Sequence, residues 1–121
     1  MSQKSVLIVD DSSSFRTVVK LSLMKAGYEV VEAVDGQDAV TKLDGKKFHC
    51  IVCDVNMPRM DGITFVKHMK TTNYKFIPVV MLTTESQESK KEEGRAAGVR
   101  AWLTKPFQPA LLVDTIGKLC V

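Results

Sequence analysis

The sequence predicts an α/β fold: a (βα)5, doubly wound, five-stranded parallel sheet with helices on both faces. Two features carry this expectation. Five short apolar, β-branched runs alternate strictly with segments whose apolar residues recur at helical spacing. The runs are also nearly continuous in apolar character, as in strands covered on both faces. Residues 1–121 read as a single domain, without repeats or low-complexity segments.

Ser5 to Asp10 (SVLIVD) reads as the first strand. A helix follows from Ser13 to Ala26, with Phe15, Val18, Val19, Ser22, Leu23 and Ala26 at helical spacing and Gly27 closing it. Tyr28 to Ala33 is the second strand. Asp35 caps a short helix carrying Ala39, Val40 and Leu43, which Gly45 ends. Cys50 to Asp54 is a third strand, and after a loop with Pro58 the pair Asp61-Gly62 opens a helix presenting Ile63, Val66 and Met69. Pro78 to Thr83 forms the fourth strand. The fourth helix, Thr84 to Ala97, has Thr84 and Gln87 at capping-box spacing. It offers only Ala96, Ala97 and Gly94 for burial, so it should be among the easier elements to move. Val99 to Thr104 is the fifth strand, and the last helix starts at Pro109 with Leu112, Ile116 and Leu119 inward.

Composition excludes several classes of function. The formal charge of +3 comes from scattered lysines rather than a basic stripe, so nucleic-acid binding is not indicated. The apolar runs are too short for membrane insertion, and the N-terminus lacks an apolar signal region; a cytoplasmic protein is expected. Three cysteines fit a reducing compartment. Cys50 and Cys53 form a C-x-x-C, but residues three apart on a strand face opposite ways. No second pair completes a zinc site, so both read as small buried apolar residues. His49 and His68 have no acid partner at readable spacing.

The chemistry lies at the carboxyl ends of the strands, which share one edge of a parallel sheet and form its usual ligand site. There the sequence places Asp10-Asp11, Asp54, Thr83-Thr84 and Thr104-Lys105. Three adjacent carboxylates repel and take up protons unless cations balance them. Lys105 supplies one charge. A hard ion such as Mg²⁺, which retains waters and needs few carboxylates, supplies the rest, with Mn²⁺ a substitute. Three Asp, one Lys and the ion sum to about zero, a pocket poised to receive an anion. Phosphoryl transfer relies on such metal and lysine stabilisation, and a carboxylate can be its nucleophile. Asp54, alone on the middle strand, is the candidate nucleophile, leaving Asp10 and Asp11 for the metal. Simpler roles stand beside these: Asp10 or Asp11 as helix cap, Thr83 as a β-branched strand residue, and Lys105 as a solvated lysine.

The motifs VLIVDDSS, IVCDVNMPRMDG, VVMLTTES and WLTKPF, in this order at strand ends, resemble the receiver domains of response regulators, and most closely the stand-alone chemotaxis regulators. The resemblance covers the whole chain. It implies the flavodoxin-like strand order 2-1-3-4-5 and a phosphorylation-switched signalling protein of a two-component system. Asp54 is then the phosphoacceptor, Asp10 and Asp11 bind Mg²⁺, and Asn56 adds its backbone carbonyl. Thr83 and Lys105 contact the phosphoryl oxygens, while Asn56 and Glu85 tune dephosphorylation. Pro106 after Lys105 matches a position where the family has a cis bond, which the sequence permits. The phosphodonor is a histidine kinase or a small acyl phosphate. The resemblance also implies a chain that catalyses only its own phosphorylation and dephosphorylation, and so no enzyme in the ordinary sense.

Trp102 fills the family's aromatic switch position, coupled to Thr83, where Tyr or Phe is usual. The larger ring argues against a fully inward rotamer, and a static packing role is the alternative. The implied partners are a chemotaxis-type histidine kinase and a flagellar motor switch protein or phosphatase, with the chain a monomer. Alternatives are a phosphorelay shuttle, a phosphate sink, or a phosphate-independent binding module of the same fold. A phosphatase of the haloacid dehalogenase type would need an Asp where Asn56 stands. A flavin carrier would need a Ser/Thr/Gly-rich loop where the chain has Asp10-Asp11.

Overall fold

Alternation of strand and helix is realised throughout the computed structural model, which describes residues 4–43, 47–57, 59–83, 88–105 and 107–120. In chain order the elements are β1 (Ser5–Val9), α1 (Ser13–Lys25), β2 (Glu29–Ala33), α2 (Gly36–Leu43), β3 (Cys50–Asp54), α3 (Gly62–Met69), β4 (Val79–Thr83), α4 (Glu88–Ala97), β5 (Ala101–Thr104) and α5 (Pro109–Leu119). The strands form one parallel sheet in the order β2-β1-β3-β4-β5. This is the flavodoxin-like topology expected from the resemblance.

Successive residues of the buried strands feed opposite layers, as the period of two requires. From β1, Leu7 and Val9 pack with Ala39, Leu43, Ile63, Val66 and Met69 beneath α2 and α3. Val6 and Ile8 pack with Val19, Leu23, Leu112 and Ile116 beneath α1 and α5. These four apolar β1 side chains are fully buried, each contributing about 1.5–3 kcal/mol relative to exposure. Cys50 and Cys53 fall in different layers, as read from their strand spacing. Burial pushes the Cys53 thiol well up, and a hydrogen bond with Cys120 together with burial keeps Cys50 neutral. Neither is a reactive thiolate.

Three helix starts follow side-chain caps, while α5 opens on Pro109 without one. Ser12 accepts from the Phe15 N–H at 3.3 Å, Asp35 from Asp38 at 2.8 Å, and Asp61 from Thr64 at 2.8 Å. The cap of α1 is therefore Ser12, not Asp10 or Asp11. Two other expectations need correction. Gly98 turns the chain out of α4 at φ 97°, and the Val99 N–H bonds back to the Gly94 carbonyl. That reversal uses up Val99, so β5 begins at Ala101. On the helices, Val18, Ala26 and Ala96 are exposed despite their apolar character. The other two α4 residues offered for burial, Gly94 and Ala97, are covered. Gly45, Pro58 and the capping pair Thr84 and Gln87 lie outside the described residues. No helix among the described residues is long and apolar enough to cross a membrane.

Candidate functional site

The sheet register sets the site. Asp10 directly follows β1, Asp54 ends β3 beside Leu82, and Thr83 ends β4 opposite Thr104, just before Lys105. One oxygen from each of Asp10, Asp11 and Asp54 lies within 4.8 Å of the others. The strand-end rule thus brings together the three carboxylates named from sequence.

Asp10 is fully buried and held on all sides. Its N–H bonds to Ala33 O at 3.1 Å, and its Oδ1 accepts from the Ser12 N–H at 2.9 Å. Arg16 Nη1 donates to the Asp10 carbonyl at 2.6 Å while Arg16 Nε pairs with Glu32 at 3.1 Å. Asp11 is exposed at the mouth. Lys105 reaches into the cluster, with Nζ 3.0 Å from Asp10 Oδ2 and 3.6 Å from Asp54 Oδ1. Its backbone N–H bonds to the Thr83 carbonyl at 2.6 Å, so the end of β4 aims the lysine. On its other side the ammonium sits 4.0 Å from the centre of the Phe15 ring. Phe107 meets Phe15 edge-on at 5.9 Å. Lys105 is therefore no freely solvated lysine.

Sequence reasoning did not find Phe15, Phe107 or Arg16 as parts of this site. Phe107 was traceable only as the residue after Lys105-Pro106; the partnerships of Phe15 and Arg16 had no local signal.

Burial pushes the carboxyl of Asp54 up to about 6; Lys105 opposes the rise, and Asp10 and Asp11 add to it. One ammonium does not balance three carboxylates. The donor set, hard oxygens from three acids within reach of one another, fits a divalent cation such as Mg²⁺.

Asn56 is exposed two residues beyond Asp54, and Thr83 is fully buried. Close behind Asp54, a Cβ at Gly62 would collide with the Asp54 carbonyl oxygen, so only glycine lets α3 start there. Trp102 is half-buried and packs on the layer beneath α2 and α3. A Cβ at Gly94 would strike Trp102 Cζ2, so α4 makes room for the indole by having no side chain there. Trp102 Nε1 is buried without a hydrogen-bond partner among the described residues. Glu85 and Pro106 lie outside the described residues.

The family model of the response regulator receiver domain matches residues 6–117. The chain is 39% identical over 114 residues to chemotaxis protein CheY1 of Helicobacter pylori (strain J99), covering 92% of each. It is 38% identical over 106 residues to the alkaline phosphatase synthesis transcriptional regulatory protein PhoP of Bacillus subtilis, covering 88% of this chain but only 44% of PhoP. The solved structure of Vibrio cholerae CheY4 superposes with a TM-score of 0.93 at 46% identity, covering 98% of this chain and 99% of that one. The receiver domain of the Pseudomonas aeruginosa sensor kinase PA1611, solved with a magnesium ion coordinated in its active site cleft, superposes at 0.89 with 26% identity, covering 98% of each. Receiver domains are signalling modules that bind Mg²⁺ at an acidic pocket and interact with histidine kinases and downstream targets. With the sheet order, the acidic edge and the match over residues 6–117, this chain belongs to the response regulator receiver domain family.

Proposed function

We propose that this receiver is a phosphorylation-switched signalling protein that accepts a phosphoryl group on Asp54. The observation that carries the reading is the buried Asp54 carboxylate, with Asp10 and Asp11 in reach and the Lys105 ammonium at 3.6 Å. An Asp54 oxygen attacks the phosphorus of a phosphohistidine. A P–O bond forms, the P–N bond breaks, and the departing imidazole nitrogen takes a proton from solvent. An acyl phosphate reacts likewise, losing its carboxylate. Mg²⁺, or Mn²⁺ in its place, held by Asp10, Asp11, Asp54 and the Asn56 carbonyl, supplies positive charge toward the phosphoryl oxygens. Lys105 stabilises the same charge from the other side, steadied by the Phe15 ring. Thr83 donates its hydroxyl to a phosphoryl oxygen. Asn56 and Glu85 set how fast water removes the group.

The product carries about −1.5 to −2 charges at pH 7, biasing two pre-existing conformations of the Thr83–Trp102 region and α4. Matches that run nearly the full length of chemotaxis proteins, 92% of CheY1 and 99% of Vibrio CheY4 against 44% of PhoP, support a chemotaxis output. The partners are then a chemotaxis-type histidine kinase and a flagellar motor switch protein or phosphatase, met by a cytoplasmic monomer of one domain.

Intact mass after incubation with acetyl phosphate and Mg²⁺ tests the reading. One phosphoryl adduct is expected, absent in Asp54→Asn and in EDTA. A folded wild type that gains none favours phosphate-independent binding instead. Transfer from a chemotaxis kinase's phosphohistidine, but not from an unrelated kinase's, tests the output assignment.

A further inference from the structure

The loop leaving Asp54 is pinned at both ends. At its near end Val55 bonds both ways, its N–H to Leu82 O and its carbonyl to the Gly62 N–H, each at 2.9 Å. At its far end Arg59 has a φ of 65°, the one positive value at a non-glycine residue among those described. Such a conformation costs an arginine on the order of 1 kcal/mol. There its guanidinium grips Asp35 on the β2–α2 turn, with Nε donating to Oδ2 at 2.6 Å and Nη2 against the same oxygen. The next residue, Met60, accepts the Gly36 N–H on its carbonyl at 3.2 Å. A Cβ at Gly36 would overlap that carbonyl at 2.7 Å. Asp35 is itself buried and fixed as the cap of α2, and that bond, with Arg59, holds its carboxyl below the usual range. Capping α2 needs only an Asx or Ser/Thr side chain. It explains neither the arginine nor its left-handed backbone.

We propose that Asp35 and Arg59 are positioning residues for the metal site: their ion pair latches the loop from Asp54 to Met60 so that the Asn56 main chain and the Asp54 carboxylate face Mg²⁺ together. Neither residue is a ligand. Each acts through the loop, as residues behind a metal site commonly orient its ligands. The inference rests on the Mg²⁺-dependent role of Asp54 proposed above.

Calorimetric titration of Mg²⁺ into the full chain tests it, with Arg59→Asn, Asp35→Asn and the double variant. Asn tolerates the left-handed region, and at 35 it keeps the cap acceptor, so both substitutions remove chiefly the pair. Each single variant should bind Mg²⁺ about tenfold more weakly. The double should lose no more than either single, because both remove one contact. At saturating Mg²⁺ the rate of adduct formation from acetyl phosphate should return to the wild-type value in Arg59→Asn. Wild-type affinity in that variant, additive losses in the double, or a rate still low at saturation would each overturn the latch. If Asp35→Asn does not fold by thermal melting, Arg59→Asn decides alone. A wild type that binds no Mg²⁺ undoes the proposed function. Normal Mg²⁺ binding and Asp54 phosphorylation in the wild type, with Arg59→Asn unaffected, undo the latch only.

Discussion

Replacing Asp54 by Asn removes a charge that the fold holds against burial and two neighbouring acids, so the metal-free protein should become more stable. In the native state the carboxyl is pushed up to about 6 from an ordinary value of 3.8. A tenfold change in proton affinity is worth about 1.4 kcal/mol, so the full rise corresponds to about 3 kcal/mol. Water at the mouth of the site screens part of it, leaving about 1.5 kcal/mol, or about 5 °C in melting temperature for a domain of this size. The sign follows from the raised value. Protonation favours the folded state, so the contribution of Asp54 is fully present below pH 3.8 and lost as pH rises through about 6. Asp54→Asn should therefore melt about 5 °C above wild type at pH 8 in EDTA and close to it at pH 4. Comparing the two proteins at each pH cancels the titration of groups that do not interact with Asp54. Adding Mg²⁺ at pH 8 should stabilise the wild type more than the variant and narrow the gap. An Asn variant no more stable than wild type at pH 8, or equally favoured at both pH values, would refute the electrostatic reasoning.

Three further outcomes are expected. Lys105→Ala leaves the buried Asp10 carboxylate without its ammonium and should cost about 3 kcal/mol in metal-free urea unfolding, with Mg²⁺ restoring much of the loss; equal losses with and without Mg²⁺ would count against charge balance. Gly94→Ala drives a Cβ into Trp102 Cζ2, so tryptophan emission should shift to the red and stability fall by about 1–2 kcal/mol. Unchanged emission would mean that the indole does not depend on this gap. Phe15→Leu removes the ring over Lys105 and should slow adduct formation from acetyl phosphate several-fold while Phe15→Tyr preserves it; equal rates in all three proteins would deny the ring a role.

The fold was legible because its signals are local. Alternating apolar runs, caps at Asp35 and Asp61 and the closing Gly27 mark elements without reference to distant residues. The acidic edge was legible for a related reason: a parallel sheet puts every strand's carboxyl end on one side, so Asp10, Asp54, Thr83 and Lys105 meet once the strands are drawn. The strand order itself came from the resemblance. What stayed hidden are contacts between residues far apart in sequence. Nothing near Phe15 announces an ammonium 90 positions on, and nothing near Arg59 points back to Asp35. Apolar periodicity also overstated the inward face of α1, because Val18, with Leu21 and Met24, turns to the surface. On α4 it placed Ala96 inward beside Gly94 and Ala97, but only the latter two are covered, Gly94 against Trp102.

The central claim is that Asp54 carries the phosphoryl group, and trapping the acyl phosphate tests it most directly. Borohydride reduces an aspartyl phosphate to homoserine, which peptide sequencing by mass spectrometry places on the chain. After treatment with acetyl phosphate and Mg²⁺, homoserine is predicted at position 54 and nowhere else. Homoserine at position 10 or 11, or none in a chain that has gained a phosphoryl group, would contradict the assignment.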